Sequence, residues 1–205
     1  MIDFFNRGGW TMWFLLTAAI IGILFIIERI ITFIWARVNT KKLVNDITKA
    51  YNANGVEGAV RVCKRNNSPI ARILIEGVQS YAVVGKDKDA MEEAMEGSAV
   101  KELAFLDRGM SALSAVVTLA PMMGFLGTVS GMVSAFDAIA LAGTVDAKLV
   151  ASGISEALIT TMTGLAIAIP VSAAHTWFSE MINSYTRNME QAANEVVTHL
   201  LEQGK

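Results

Sequence analysis

Glu156 is the residue whose setting asks for chemistry. The eighteen residues between it and His175 carry no charge. Its carboxylate therefore opens a stretch apolar enough for a bilayer. A carboxylate near mid-membrane costs about 2.5–3.5 kcal/mol on insertion scales, so such groups face protein or water and mark ion paths. Burial favours the protonated form, the property of a group that takes up and releases protons. The competing reading places Glu156 at headgroup level, hydrated and structural. Thr160 and Thr163, four and seven residues on, share its helical face, whereas Thr161 is turned from it by about 140°.

A second polar group sits in another apolar run. Gly109 to Phe136 is twenty-eight residues without a charge, and as a helix it would be about 42 Å long. It is too small and too polar for an ordinary lipid anchor. Gly127, Gly131 and Ala135 repeat at small-xxx-small spacing, and Gly124 adds another point where a neighbouring backbone can come close. Pro121 removes a backbone donor, which membrane depth tolerates only where neighbours or water satisfy the carbonyl left over. Thr118 and Thr128 add hydroxyls to the span. A threonine in such a helix commonly bonds a carbonyl of its own preceding turn, so neither is a site by itself. Two runs that each combine glycine, proline and threonine together describe a close-packed polar lining.

The elements that hold these residues follow from charge and spacing. Gly8 to Ile27 is a first uncharged run of twenty residues with Trp10 and Trp13 near its start. It continues past Glu28 and Arg29 to about Trp35, with Arg29 snorkelling or paired to Glu28. A signal peptide is the alternative, but a strong basic leader and a small-x-small cleavage site are both missing. Arg37 to Arg108 holds twelve of the seventeen Lys and Arg residues and reads as helices. Asn39-Thr40 caps a first one that stops near Asn54-Gly55, and a shorter one covers Val56 to Arg65. Ser68-Pro69 opens the next, closed by Gly85. Asp87 to Asp107, with Met91, Met95, Ala99, Leu103 and Leu106 on one stripe, is expected to run unbroken into Gly109–Phe136. Asp137 to Gly153, with Gly143, Asp146 and Lys148, reads as a turn, and Ile154 to Trp177 as the third span. The tail repeats Phe178, Ile182, Tyr185, Met189, Ala192, Val196 and Leu200 at helical steps, so the third span should continue well beyond the membrane.

The expected fold is thus an all-α membrane protein with three transmembrane helices. Spans two and three extend into long cytoplasmic helices, and a helical cytoplasmic segment separates spans one and two. Its parts are 1–36, periplasmic N-terminus and first span; 37–108, cytoplasmic; 109–136, second span; 137–153, periplasmic loop; 154–177, third span; and 178–205, cytoplasmic helix. The orientation follows from Arg37, Lys41, Lys42, Lys49, Lys101 and Arg108 flanking the spans on one side, against Arg7 and Lys148 on the other. Of the 205 residues 53% are hydrophobic and only three are proline, a balance foreign to a soluble enzyme. Cys63 is the only cysteine, so no intrachain disulfide forms. His175 and His199 lack the company a metal site needs. Phosphate-binding and nucleophile-elbow motifs do not occur, and acids match the basic residues, which argues against nucleic-acid binding. Neither an enzyme activity nor a cofactor is expected.

Two segments carry a resemblance. Ala120-Pro121-Met122-Met123-Gly124-Phe125-Leu126-Gly127-Thr128-Val129-Ser130-Gly131-Met132 resembles the APxxGLxGTVxGM signature of the ExbB/TolQ/MotA family. Gly153-Ile154-Ser155-Glu156-Ala157-Leu158-Ile159-Thr160-Thr161-Met162-Thr163-Gly164-Leu165 resembles its second signature, GIxEALxTTxxGL, and continues as AIAIP to Pro170. Ser68-Pro69-Ile70-Ala71-Arg72 is similar to the family's segment between spans one and two. The resemblance implies a proton-channel subunit of a bacterial inner-membrane energising complex. It implies a homo-oligomer, usually a pentamer, around a dimer of an ExbD/TolR-type subunit that works on a TonB-type protein. Thr128 and Thr161 would then face the partner's aspartate-bearing helix, with Glu156 as the membrane glutamate and Thr160 beside it. Pro121 and Pro170 would shape the pore helices, and Gly124, Gly127, Gly131 and Gly164 would pack them. Ser130 departs from the pattern, since many members have tryptophan there. Three spans argue against a flagellar MotA stator, which usually has four, and the ExbB role is preferred to that of TolQ. A secondary transporter would call for more spans and an inverted repeat, and a scaffold without ion flow would leave Glu156 unexplained.

Overall fold

The computed structural model describes residues 2–143 and 147–203, and every element in them is an α-helix. They are α1 (Ile2–Arg7), α2 (Thr11–Ala36), α3 (Thr40–Arg65), α4 (Pro69–Val84), α5 (Lys88–Asp107), α6 (Met110–Ala142) and α7 (Ala147–Gln203). Three helical stretches, one through each of α2, α6 and α7, are long and apolar enough to cross a membrane. The chain divides into two units. One is Met1–Arg29 with Gly109–Phe178, and the other is Ile30–Arg108 with Ser179–Lys205.

In the second unit the expected caps at Asn39 and Ser68 are in place, and Asp87 adds one that was not anticipated. The Asn39 side chain accepts from the Lys42 amide at 3.1 Å, Ser68 from Ala71 at 3.3 Å and Asp87 from Ala90 at 3.1 Å. Each satisfies a donor that the first helical turn leaves without a partner. Gly85, at φ 76°, ends α4, and its amide bonds the Tyr81 carbonyl at 3.0 Å. The break at Asn54-Gly55 is a kink inside α3, where Gly55 has φ 62°. The caps aim apolar faces at one core, built from Leu43, Val44 and Ile47 of α3, Ile70, Leu74 and Val78 of α4, and Met91 and Met95 of α5. The α7 stripe joins it through Met189, Ala192, Val196 and Leu200, while Tyr185 packs at its margin. Full burial of side chains of this size contributes about 1.5–3 kcal/mol each, which is why the periodic positions hold the unit together.

Two expectations are corrected. The helix of Asp87–Asp107 does not run unbroken into the second span. Gly109 takes φ 86° between α5 and α6, and the Phe25 ring occupies the space that a side chain at 109 would need. An isolated glycine in a charge-free run reads as a packing residue, yet here it is the left-handed stop of a helix. The turn of Asp137–Gly153 is also shorter than expected, because α6 continues to Ala142 and α7 already begins at Ala147. Asp137 to Ala142 is rich in alanine, the best helix former, and Gly143 at φ 64° provides the stop. Asp146, assigned to that turn, lies outside the described residues, as do Thr144 and Val145. The short helix α1 was not anticipated. The tryptophans expected at interfaces, Trp10, Trp13, Trp35 and Trp177, are all exposed.

Cys63 lies in the second unit's core, and burial pushes its thiol up from 9.0 to about 11. An unfolded chain loses this proton near 9.0 while the folded one keeps it to about 11. Stability contributed by the neutral thiol is therefore intact below pH 9 and declines as pH rises through 11. Thermal melts of the purified protein between pH 8 and pH 11 should show a falling Tm, and Cys63→Ala should flatten that slope. An identical slope in the variant would place the alkaline loss on other groups.

Candidate functional site

The site belongs to the first unit and is built on the contact between α6 and α7. Two helices approach closely only where neither carries a bulky side chain, and in hydrocarbon that approach is what holds them, since burial from water no longer helps. Gly124, Gly127 and Gly131 of α6 are all buried against α7. A Cβ on Gly124 would lie 2.9 Å from the Thr160 carbonyl oxygen, and one on Gly131 would lie 2.9 Å from that of Gly153. From the other side, a Cβ on Gly164 would lie 2.6 Å from the Ala120 carbonyl. Gly127 receives the Thr160 side chain itself. The four glycines expected to pack the helices are thus placed in a single seam, together with Ala120, Ala135, Gly153 and Ala157.

The hydroxyls divide into two groups. Thr161 donates across the seam to the Gly124 carbonyl at 3.3 Å, a bond between helices 37 positions apart. Thr160 is fully buried and bonds the Ala157 carbonyl at 2.9 Å. Thr163 bonds Ile159 at 2.8 Å and Thr128 bonds Phe125 at 2.6 Å, each within its own helix. In that arrangement a threonine keeps both lone pairs for water or an ion while its proton stays with the backbone. Pro121 is half-buried inside α6 and Pro170 exposed inside α7. Neither can donate to the carbonyl four residues back, which leaves the oxygens of Val117 and Ala166 without the usual helical partner.

Glu156 is half-buried in the N-terminal turns of α7, one turn before Thr160. Its Oε1 atom rests directly against Gly9, whose φ of 66° forms the turn before α2. That turn is held by the Met12 amide on the Gly9 carbonyl at 3.3 Å and the Thr11 hydroxyl on the Gly8 carbonyl at 3.2 Å. Beside it, Arg7 donates to the Ser155 hydroxyl at 2.7 Å, and the Trp10 indole N–H donates to Ser130 at 3.2 Å. The Glu156–Thr160 face therefore points into the first unit, toward the turn before α2 and Gly127 of the seam, while Thr161 meets the same seam at Gly124. Arg7, Gly9 and Trp10 escape sequence reasoning, since nothing local links them to positions more than a hundred residues away. The only local signal is a Gly-Gly pair just ahead of a tryptophan. Arg29, fully buried at the other end of α2, forms a two-point pair with Glu28, both bonds 2.6 Å.

The seam yields a graded expectation. Gly131→Ala and Gly164→Ala set a methyl against backbone, which cannot yield as a side chain can, and each should cost about 1–3 kcal/mol. Gly97 of α5 has nothing within 4 Å of its would-be Cβ. In a helix interior Gly97→Ala should raise stability by up to about 1 kcal/mol. Thermal unfolding of the three variants checks the order, and equal effects would show that the seam is not tight.

Comparison with known proteins identifies the family. The sequence profile described as the MotA/TolQ/ExbB proton channel family matches residues 65–191. The chain is 33% identical over 160 residues to the Synechocystis protein named biopolymer transport protein ExbB-like 3, covering 76% of this chain and 73% of the relative. It is 28% identical over 157 residues to biopolymer transport protein ExbB of Neisseria gonorrhoeae, covering 71% of each. A homolog of ExbB from Methanothermobacter thermautotrophicus is 27% identical over 192 residues, covering 93% of this chain and 67% of the relative. With three helices long and apolar enough to cross a membrane, and a close-packed threonine-bearing seam inside the matched region, the chain is a membrane protein and belongs to the MotA/TolQ/ExbB proton channel family.

Proposed function

We propose that this protein is the ExbB-like subunit of an inner-membrane energising complex. Several copies, five in the usual form, surround a dimer of an ExbD/TolR-type subunit, and the assembly drives a TonB-type protein. One observation carries the reading. The small residues of α6 and α7 are spent on each other, while Met122, Phe125 and Val129 of α6 and Leu158, Met162 and Leu165 of α7 remain exposed. Such faces need cover, by lipid on one side and by further protein on the other. In this reading residues 37–108 and the C-terminal helix are cytoplasmic and the N-terminus periplasmic, which the basic flanks of 37–108 support. The ExbB names among the relatives favour this role over a TolQ-like or MotA-type stator.

In this reading protons descend their gradient between the partner's membrane acid and a polar ring to which Thr128 and Thr161 contribute. Each charge crossing the membrane releases about 2.3 kcal/mol per 100 mV. Thr161 binds α6 to α7 and so keeps the ring's shape while the inner dimer moves. Glu156, against the Gly9 turn, supplies a carboxyl group near the outer mouth. Glu156→Ala and Thr161→Ala should each lower proton flux at least about tenfold in liposomes holding the complex with its partner, with the copy number unchanged. Full flux in both variants would remove these residues from the path, and failure to co-purify with any single-span acidic partner would refute the assembly.

A further inference from the structure

The second unit carries its charges on opposite helices. α3 has six cations, Lys41, Lys42, Lys49, Arg61, Lys64 and Arg65, against two acids, Asp46 and Glu57. α5 reverses the balance, with six acids against Lys88 and Lys101. α4 packs against both of them. Among the described residues the α3 cations make no ion pair, and neither do Glu93 and Glu96 of α5. A charged helix face by itself needs only water. The α5 face, however, also borders a groove of about 390 Å³ whose floor is apolar, formed by Ile73, Met95, Ala99, Val100 and Leu103, and whose rim is Glu92, Glu96 and Glu190. Val100, on that floor, is 63% exposed, far more than an apolar side chain in a finished core.

We infer that this groove is the docking site for the α3 face of a second copy of the same chain, with Arg61, Lys64 and Arg65 as the inserted residues. Long basic side chains suit such a groove, because their methylene stems cover apolar floor while their heads meet carboxylates. The spacing matches as well. Arg61 and Arg65 are one helical turn apart, as are Glu92 and Glu96, so the two rows can meet in register. Two unlike faces on one unit make a head-to-tail contact, and copies that share one membrane orientation can close into a ring only through contacts of that kind. The assignment rests on the reading that several copies assemble, and it adds which faces meet and what holds them. The charges confer register and partner choice, and the buried floor of the groove excludes water.

Single cysteines report the contact. In a Cys63→Ala background of the full-length protein in detergent, Lys64→Cys combined with Glu96→Cys should form disulfide-linked oligomers on mild oxidation. Either substitution alone should not. The yield should fall at 1 M salt, where screening shortens to about 3 Å. Reversal of one face, Glu92→Lys with Glu96→Lys, should weaken assembly at least about tenfold by mass photometry, and adding Arg61→Glu and Arg65→Glu should restore it. Circular dichroism identifies any variant that fails to fold, and for such a variant the cysteine pair decides. Oligomers of normal size without the cross-link would overturn the assignment and leave multi-copy assembly intact. Cross-linking by either single variant would mean that like faces meet, which also overturns it. A monomeric parent protein would bring down assembly and docking together.

Discussion

Close approach of α6 and α7 is the constraint on which the rest of the first unit depends. Gly124, Gly131 and Gly164 face backbone rather than side chains, so the separation of the two helices is set by main-chain atoms and varies little. With that distance fixed, the Thr161 hydroxyl reaches the Gly124 carbonyl and Thr160 fills the place opposite Gly127. Were the seam wider, the Thr161 hydroxyl would lose the Gly124 carbonyl, while Thr160 would keep its bond to Ala157 but lose its fit against Gly127. Around the seam, Met122, Phe125 and Val129 of α6 and Leu158, Met162 and Leu165 of α7 are turned outward, which gives this stretch an apolar exterior.

The two units are stabilised by different physics. In the first, dispersion contacts between small residues and a few hydrogen bonds act where there is little water to expel. In the second, Leu43, Ile70, Leu74, Met91, Val196 and their neighbours form a core of the kind that water drives together. The break at Gly109 falls where one regime gives way to the other. The helix of the soluble type ends on Asp107, and the apolar helix starts afresh at Met110.

What was legible in the sequence was local. Asn39, Ser68 and Gly85 carry their cap chemistry in their own side chains or in the lack of one, and the tail stripe from Phe178 to Leu200 repeats at a period that only a helix has. The stop at Gly109 was missed because glycine in an apolar run can either pack or end a helix, and composition does not separate the two uses. The angular argument correctly put Thr161 off the Glu156 face, yet it could not say what either side met. The neighbour of Glu156 is Gly9, and a contact across 147 positions leaves no trace in local periodicity. Ser130 was visible only as a departure from a familiar pattern. Its bond from Trp10 shows an indole brought to that place by the turn before α2.

The Arg29–Glu28 pair has a bearing on how the first apolar helix enters a bilayer. Consecutive residues on a helix point about 100° apart, but the arginine side chain is long enough to reach back and grip the neighbouring carboxylate at two points. This bond needs no other helix. It can form as soon as α2 winds, before α6 and α7 have been synthesised, so the guanidinium meets lipid already neutralised and the cost of inserting it falls during biogenesis itself.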